Sequence, residues 1–312
     1  MKSARNGWRG YWPAAPTPFA IDGSLDEQAF REVIRLYRSD GVHGVLVNGT
    51  TGEWFSQTLD ERRRVAEIAV EELADSAITV VIGCGSLRLS ETVALADHAR
   101  SVGADGALTT VPPYAHPSDE ESFAFFREAT EAVDLPWMVY NWPRGTAVDH
   151  PVELLSRLAD LERVVAIKDS TGDEIKALEG CEAVMDRVRF FGRFVHPRGM
   201  AFLTGLGGDG NIDGGGLGAK FAVPFYESVW AGDLESARRW SSRYANVAAQ
   251  LVNPDYSGKF ASPTAQLKAA MSLLGQPGGR VRSPLLNLDD PQTLARLGQA
   301  LTAADLIEED RL

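Results

Sequence analysis

The 312-residue sequence predicts an α/β fold, a closed (β/α)8 TIM barrel with a C-terminal helical extension. Three observations predict it. Short apolar runs alternate with longer amphipathic segments, the pattern of a parallel sheet with crossover helices. The alternation recurs about every 25–35 residues and gives eight units, enough for closure. The strand pattern then stops near residue 216, and only helical periodicity continues. Residues 1–216 are therefore expected to carry the barrel strands and most of the helices. Residues 217–312 are expected to hold the last barrel helix and a C-terminal helical region. An open doubly wound sheet is the runner-up, because a count of units from sequence can slip by one or two.

The predicted strands are Ala14 to Phe19, Gly44 to Gly49, Thr79 to Gly83, Gly106 to Val111, Leu135 to Tyr140, Val164 to Lys168 and Val188 to Gly192. The eighth, Gly207 to Gly214, is diluted by glycine. Between the strands, Ser24 with Glu27, Thr58 with Glu61 and Ser118 with Glu121 have the spacing of capping boxes. Val65, Ile68, Ala69 and Leu73 share one helical face. Beyond residue 216, Leu234, Ala237, Trp240, Tyr244, Val247 and Leu251 keep a spacing of three to four. Lys259 to Leu274 and Pro291 to Thr302 are also helix-like.

The bulk numbers exclude some partners. A net charge of −12 argues against nucleic acid and against anionic membrane. No apolar run reaches the length of a membrane span. The N-terminal stretch is basic (Lys2, Arg5, Arg9), but no apolar segment follows it as a signal peptide requires. Two cysteines, Cys84 and Cys181, are too few for a disulfide framework and suit a reducing cytoplasm. The five histidines lack metal-ligand spacing.

Chemistry is expected where the strands end, because a barrel gathers its strand C-termini on one face. Val164-Val165-Ala166-Ile167 runs straight into Lys168. The chain has only six lysines, and this is the one that ends an apolar run. A lysine nucleophile must be neutral to attack a carbonyl, so burial has to lower its pKa from about 10.4. Val165 and Ile167 are expected to supply part of that apolar setting. Tyr140, at the end of strand 5, can shuttle protons. The turn Gly49-Thr50-Thr51-Gly52 offers hydroxyls and free N–H groups for a carboxylate. A 2-oxo acid fits this set: its keto carbon meets the amine and its carboxylate meets the turn.

Gly49-Thr50-Thr51-Gly52-Glu53, Tyr140-Asn141-x-Pro143 and Ile167-Lys168-Asp169 occur in this order, with Ala15-x-Thr17-Pro18-Phe19 before them and Arg282-x-Pro284-Leu285 after them. Together they resemble the dihydrodipicolinate synthase / N-acetylneuraminate lyase superfamily of Schiff-base aldolases over nearly the whole chain. The resemblance implies a (β/α)8 barrel, a homotetramer built as a dimer of dimers, and no metal or organic cofactor. It implies that Lys168 forms an imine with pyruvate or a similar 2-oxo acid and that Tyr140 transfers protons. Thr50 would link Tyr140 to a second tyrosine, Tyr114, which comes from a neighbouring subunit in the synthases. Thr51 with Gly49 would hold the carboxylate, and Ile212 would line the pocket through its backbone.

The departures from the pattern point to the substrate. Pro112-Pro113-Tyr114 replaces a paired-tyrosine segment, and Trp54-Phe55 replaces small residues. After the Tyr-Asn-x-Pro motif, Gly145 stands where synthases place an arginine, and Arg144 comes one residue early. The first two resemble the sugar-acid dehydratase and aldolase branches of the superfamily, which implies a lyase or dehydratase acting on a 2-keto-3-deoxy sugar acid or a related 2-oxo acid, with Arg144 a candidate clamp for a second carboxylate. Dihydrodipicolinate synthase activity and a non-catalytic 2-oxo acid binding protein are the alternatives. Glu53 reads equally as a helix N-terminal acid or as part of the chemistry, and Arg62-Arg63-Arg64 reads as a solvated face. Gly205-x-Gly207-x-x-Gly210 matches the dinucleotide fingerprint in form only, since no strand precedes it.

Overall fold

Eight parallel strands close into a barrel in chain order in the computed structural model, which describes residues 7–307. Lys2 and Arg5 lie outside the described residues. The strands are β1 (Gly10–Ala14), β2 (Gly44–Val47), β3 (Thr79–Gly83), β4 (Gly106–Thr109), β5 (Trp137–Asn141), β6 (Val164–Asp169), β7 (Arg189–Phe191) and β8 (Gly210–Gly214). The connecting helices are α1 (Glu27–Ser39), α2 (Leu59–Leu73), α3 (Leu89–Ser101), α4 (Asp119–Ala132), a single turn α5 (Pro143–Thr146), α6 (Val152–Ala159), α7 (Glu174–Val184), α8 (Pro197–Gly205) and α9 (Ala219–Ala231). The helices α10 (Leu234–Leu251), α11 (Pro263–Leu273) and α12 (Pro291–Ala303) form the C-terminal extension. These three share an apolar cluster with Phe221 of α9.

The capping boxes at Thr58/Glu61 and Ser118/Glu121 form with both reciprocal hydrogen bonds. The one expected at Ser24/Glu27 does not: Asp26 caps α1 by accepting from the Ala29 N–H, and Ser24 bonds Asp22 instead. The first strand also begins earlier than its apolar pattern suggests. Pro16 and Pro18 lack the N–H that a ladder needs, so pairing ends at Ala14. Helix α8 carries no long apolar stripe; Pro197 at its first turn and a His196 side chain that accepts from the Gly199 N–H start it.

Alternation along the strands divides inside from outside. Trp12, Leu46, Val81, Met138, Phe191 and Ile212 fill the barrel, while Tyr11, Val45 and Val80 pack outward on the helices. Trp12 fits because β2 opens with glycine: a Cβ on Gly44 would lie 2.3 Å from the indole. Gly44→Ala is expected to destabilise the fold by about 1–3 kcal/mol or more through overpacking, read from denaturant unfolding.

One irregularity bears on the site. Trp137 pairs with Val164 but Met138 pairs with Ala166, so Val165 is an extra residue bulged from β6. Val165 and Ala166 both join the barrel interior, whereas Ile167 packs outward against α6 and α7. The expected apolar setting from Ile167 is therefore corrected. Ala166, on the same parity as Lys168, and Val165 face the interior, and the bulge determines which way the lysine points.

Candidate active site

Lys168 lies near the C-terminal end of β6, opposite Tyr140 of β5 and Phe191 of β7. It is 7% exposed, and its Nζ sits 4.2 Å from the centre of the Tyr140 ring. Burial lowers its pKa to about 8, while the more distant Asp213 carboxylate acts in the opposite sense. About a tenth of the amine is thus neutral at pH 7, far more than in a free lysine. Tyr140 is equally buried, which raises its phenol pKa against the opposing hydrogen bond with Ser170. A phenol held protonated in this way can lend a proton and take it back.

Asn141 holds the ends of β5 and β6 together. Its side-chain N–H group donates to Asp149 at 2.8 Å and to Asp169 at 2.9 Å, and its oxygen accepts from the His150 N–H at 3.1 Å. The second Asp169 contact is the Thr171 N–H at 2.9 Å. Tyr140 and Lys168, each preceding a member of this network, are fixed relative to one another by it.

The Thr50–Thr51 turn sits at the end of β2. Gly49 is buried against Leu46, and a Cβ on Gly214 of β8 would come 3.2 Å from the Thr51 hydroxyl, so Thr51 leans across the mouth towards β8. Ile212 points into the barrel beside Trp12. Beneath the turn lies a buried ion pair. Glu53, fully buried and with φ of 56°, bonds Lys268 of α11 at 2.5 Å and accepts from the Arg282 N–H at 3.0 Å. Lys268 also donates to the carbonyls of Thr17 at 2.7 Å and Arg280 at 2.6 Å. Glu53 is therefore neither a surface helix acid nor part of the pocket, and it anchors the turn to the C-terminal extension.

Thr50 is exposed, and no hydrogen bond joins it to Tyr140 among the described residues. Tyr114 is 92% exposed with φ of 76°, and among the described residues no hydrogen bond or ring contact joins it to Tyr140 or Thr50. Arg144 is exposed and donates to the Asp255 carbonyl at 2.8 Å. Arg62 leaves the solvated face assigned to its run: it is buried and donates to the carbonyls of Gly83 and Gly85 at 2.9 and 3.0 Å. Arg63 and Arg64 do form surface ion pairs. Cys84 is a buried thiol that burial pushes up to about 12. No group of metal ligands occurs among the described residues.

Several residues at the mouth escape a motif search. Trp142 stacks on Tyr140 with ring centres 5.7 Å apart. It also explains Gly145, where a Cβ would lie 2.2 Å from the indole. A side chain at position 145 would therefore collide with this tryptophan. Tyr256 meets Trp142 edge-on at 5.8 Å and donates to the Thr171 carbonyl at 3.1 Å. It sits on a small hairpin closed by the Val252–Gly258 bridge, between α10 and α11. A cleft of about 290 Å³ runs here between Pro143, Arg144, Ser170 and Tyr256.

A depressed lysine beside a phenol, at the C-terminal mouth of a (β/α)8 barrel, suits imine chemistry on a carbonyl substrate, and the protein is a lyase of the class I aldolase type. The profile of the dihydrodipicolinate synthetase family matches residues 8–304. The chain belongs to that family. It is 35% identical over 280 residues to a 4-hydroxy-tetrahydrodipicolinate synthase of Phenylobacterium zucineum (strain HLK1), covering 89% of this chain and 91% of that one. It is 34% identical over 289 residues to an uncharacterized DapA-like lyase of Rhizobium meliloti, covering 90% and 91%. Among solved structures, the chloride-inhibited dihydrodipicolinate synthase from Acinetobacter baumannii, complexed with pyruvate, superposes with a TM-score of 0.84 at 26% identity, covering 96% of this chain and 99% of the other. No described helix is long and apolar enough to cross a membrane.

Proposed function

We propose that Lys168 forms a Schiff base with the keto carbon of a 2-oxo acid and that the protein then cleaves or dehydrates a 2-keto-3-deoxy sugar acid. The observation that carries this reading is the burial of Lys168 against Tyr140, which leaves the amine partly neutral. The amine adds to the keto carbon, and Tyr140 delivers the proton with which the keto oxygen leaves as water. In aldol cleavage the C4 hydroxyl gives its proton to the Tyr140 phenolate and becomes a carbonyl as the C3–C4 bond breaks. The electron pair of that bond passes to the iminium and leaves the Lys168 enamine of pyruvate, which is protonated at C3 and hydrolysed to pyruvate and the free amine; condensation is the reverse. In dehydration a C3 proton is lost and hydroxide departs from C4, with the carbon chain intact. Thr51 and Gly49 hold the C1 carboxylate, and Ile212 lines the pocket. Thr50 and Tyr114 complete the proton path only when a second subunit brings its own Tyr114 to the mouth, so we take the working form to be a homotetramer, in the cytoplasm.

A second reading is dihydrodipicolinate synthase, favoured by relatives of that name such as the Phenylobacterium protein. Gly145, at the position where the family resemblance implies an arginine in the synthases, speaks against it.

Enamine formation has a direct readout. In heavy water the protein is expected to exchange the methyl protons of pyruvate for deuterium, seen as loss of the methyl NMR signal. Exchange no faster than in buffer would reject the reading and would fit a non-catalytic 2-oxo acid binding protein on this fold. The pH profile follows from Lys168. Only the unprotonated amine attacks, so kcat/KM for exchange is expected to rise roughly tenfold between pH 7 and pH 9 and to level above the pKa of about 8. A profile that is flat, or that rises only beyond pH 10, would contradict a depressed lysine. Product analysis separates the two lyase chemistries: free pyruvate marks the aldolase, and an intact carbon chain less one water marks the dehydratase.

A further inference from the structure

We propose that Arg193 anchors a second anionic group at the far end of the substrate, so that the protein takes 2-oxo diacids. The inference rests on the reading of Lys168 as the amine that meets the keto carbon.

Arg193 follows β7 by two residues. Phe191 stands opposite Lys168 and faces the barrel interior. Gly192 faces outward, since a Cβ there would meet Phe190 and Phe194 of the outer cluster. Alternation then returns Arg193 to the inner side, at the mouth. Adjacent strands lie about 4.8 Å apart and each residue advances about 3.3 Å, which sets its Cα roughly 8 Å from that of Lys168. A six-carbon acid spans such a gap once the two long side chains lean over it.

The guanidinium lies over the Tyr256 ring, 4.7 Å from its centre. Tyr256 in turn abuts Trp142, and Trp142 stacks on Tyr140, so an aromatic wall runs from the amine to the guanidinium. No carboxylate lies within ion-pair distance of Arg193 among the described residues. The acids around it have other partners: Asp213 accepts from the Tyr244 hydroxyl, Asp255 from Ser257, Asp169 from Asn141 and Thr171, and Glu174 from Arg198. Arg144, on the other flank of the hairpin, is engaged with the Asp255 carbonyl. On a chain of net charge −12, an exposed arginine without an acid, aimed at the mouth of the site, is suited to a bidentate carboxylate. Stacking on Tyr256 holds the planar fork in place before a ligand arrives.

The test uses 2-oxoadipate and 2-oxohexanoate, acids of equal length that differ only in the terminal group. Affinities of both are measured by calorimetry for the full chain and for its Arg193→Met and Arg193→Lys variants. The unaltered protein is expected to prefer the diacid by about tenfold to a hundredfold, the range of one lost charge-assisted pair. Arg193→Met is expected to abolish the preference by weakening the diacid alone, and Arg193→Lys to keep part of it. Borohydride capture of pyruvate on Lys168 is expected to be unchanged in Arg193→Met. Equal affinity for the two acids in the unaltered protein, no measurable diacid binding, or a preference that survives Arg193→Met would each overturn the assignment. Calorimetry does not require an imine, so failure of pyruvate capture would count against the proposed chemistry, while the affinities alone decide the role of Arg193.

Discussion

Replacing Lys168 with methionine is expected to remove turnover and, at the same time, to make the fold more stable. The loss of activity should be on the order of 10³-fold or more, because no neighbouring group can replace a covalent nucleophile. The gain in stability has a separate cause. Burial lowers the pKa of Lys168 from 10.5 to about 8, which means that the folded protein disfavours its charged form. Below pH 8 the amine is protonated in both folded and unfolded chains, and the cost of burying the charge is fully present. As pH rises from about 8 towards 10.5, the folded chain releases its proton before the unfolded one, and the cost is relieved. Methionine fills similar space without charge. Urea unfolding at pH 7 should therefore show Lys168→Met more stable by roughly 1–3 kcal/mol, with the gain shrinking above pH 8. A variant less stable than the parent at pH 7 would show that Lys168 is a structural partner rather than a strained nucleophile.

The opposite result is expected at the other buried lysine. Lys268 is 2% exposed and its partner Glu53 is fully buried. Burial lowers the Lys268 pKa to about 8, with the Glu53 carboxylate opposing the shift. Lys268→Met leaves a carboxylate in the interior that keeps the Arg282 N–H but loses its ion. Breaking such a pair from one side costs about 3–5 kcal/mol. Replacing both residues, as in Glu53→Gln with Lys268→Met, should recover part of that loss, since no uncompensated charge remains. The pair also braces the Thr50–Thr51 turn, so the surviving folded Lys268→Met protein should show a raised KM for the 2-oxo acid with a smaller change in kcat. Equal stability of Lys268→Met and the parent in urea would show that the pair does not hold the fold together.

How much of this was legible in the sequence differs from element to element. Strands β3 and β6 could be read almost to the residue, because continuous apolar runs bounded by turn residues mark buried parallel strands. Lys168 and Tyr140 were legible for the same reason, as each ends such a run. The bulge at Val165 was not: a register shift depends on the partner strand, and no residue type marks it. Helix α8 was hidden by its short, weakly amphipathic sequence. Arg62 looked like a member of a charged run, yet it serves bare carbonyls at the end of β3, a demand that exists only after folding. Tyr256 and Arg193 were invisible as site residues for a related reason. One is carried by a hairpin between two helices far along the chain, and the other follows the shortest of the eight strands. Both reach the mouth only through closure of the barrel and docking of the extension.

The central claim is that the Lys168 amine is the group that meets the substrate. Pyruvate, borohydride and the intact protein suffice to test it, with the digested product read by mass spectrometry. The expected result is a peptide in which Lys168, and no other lysine, gains the mass of pyruvate less one oxygen atom, with no such gain in Lys168→Met. An unmodified Lys168 after reduction with pyruvate in excess, or an adduct spread over the surface lysines, would contradict it.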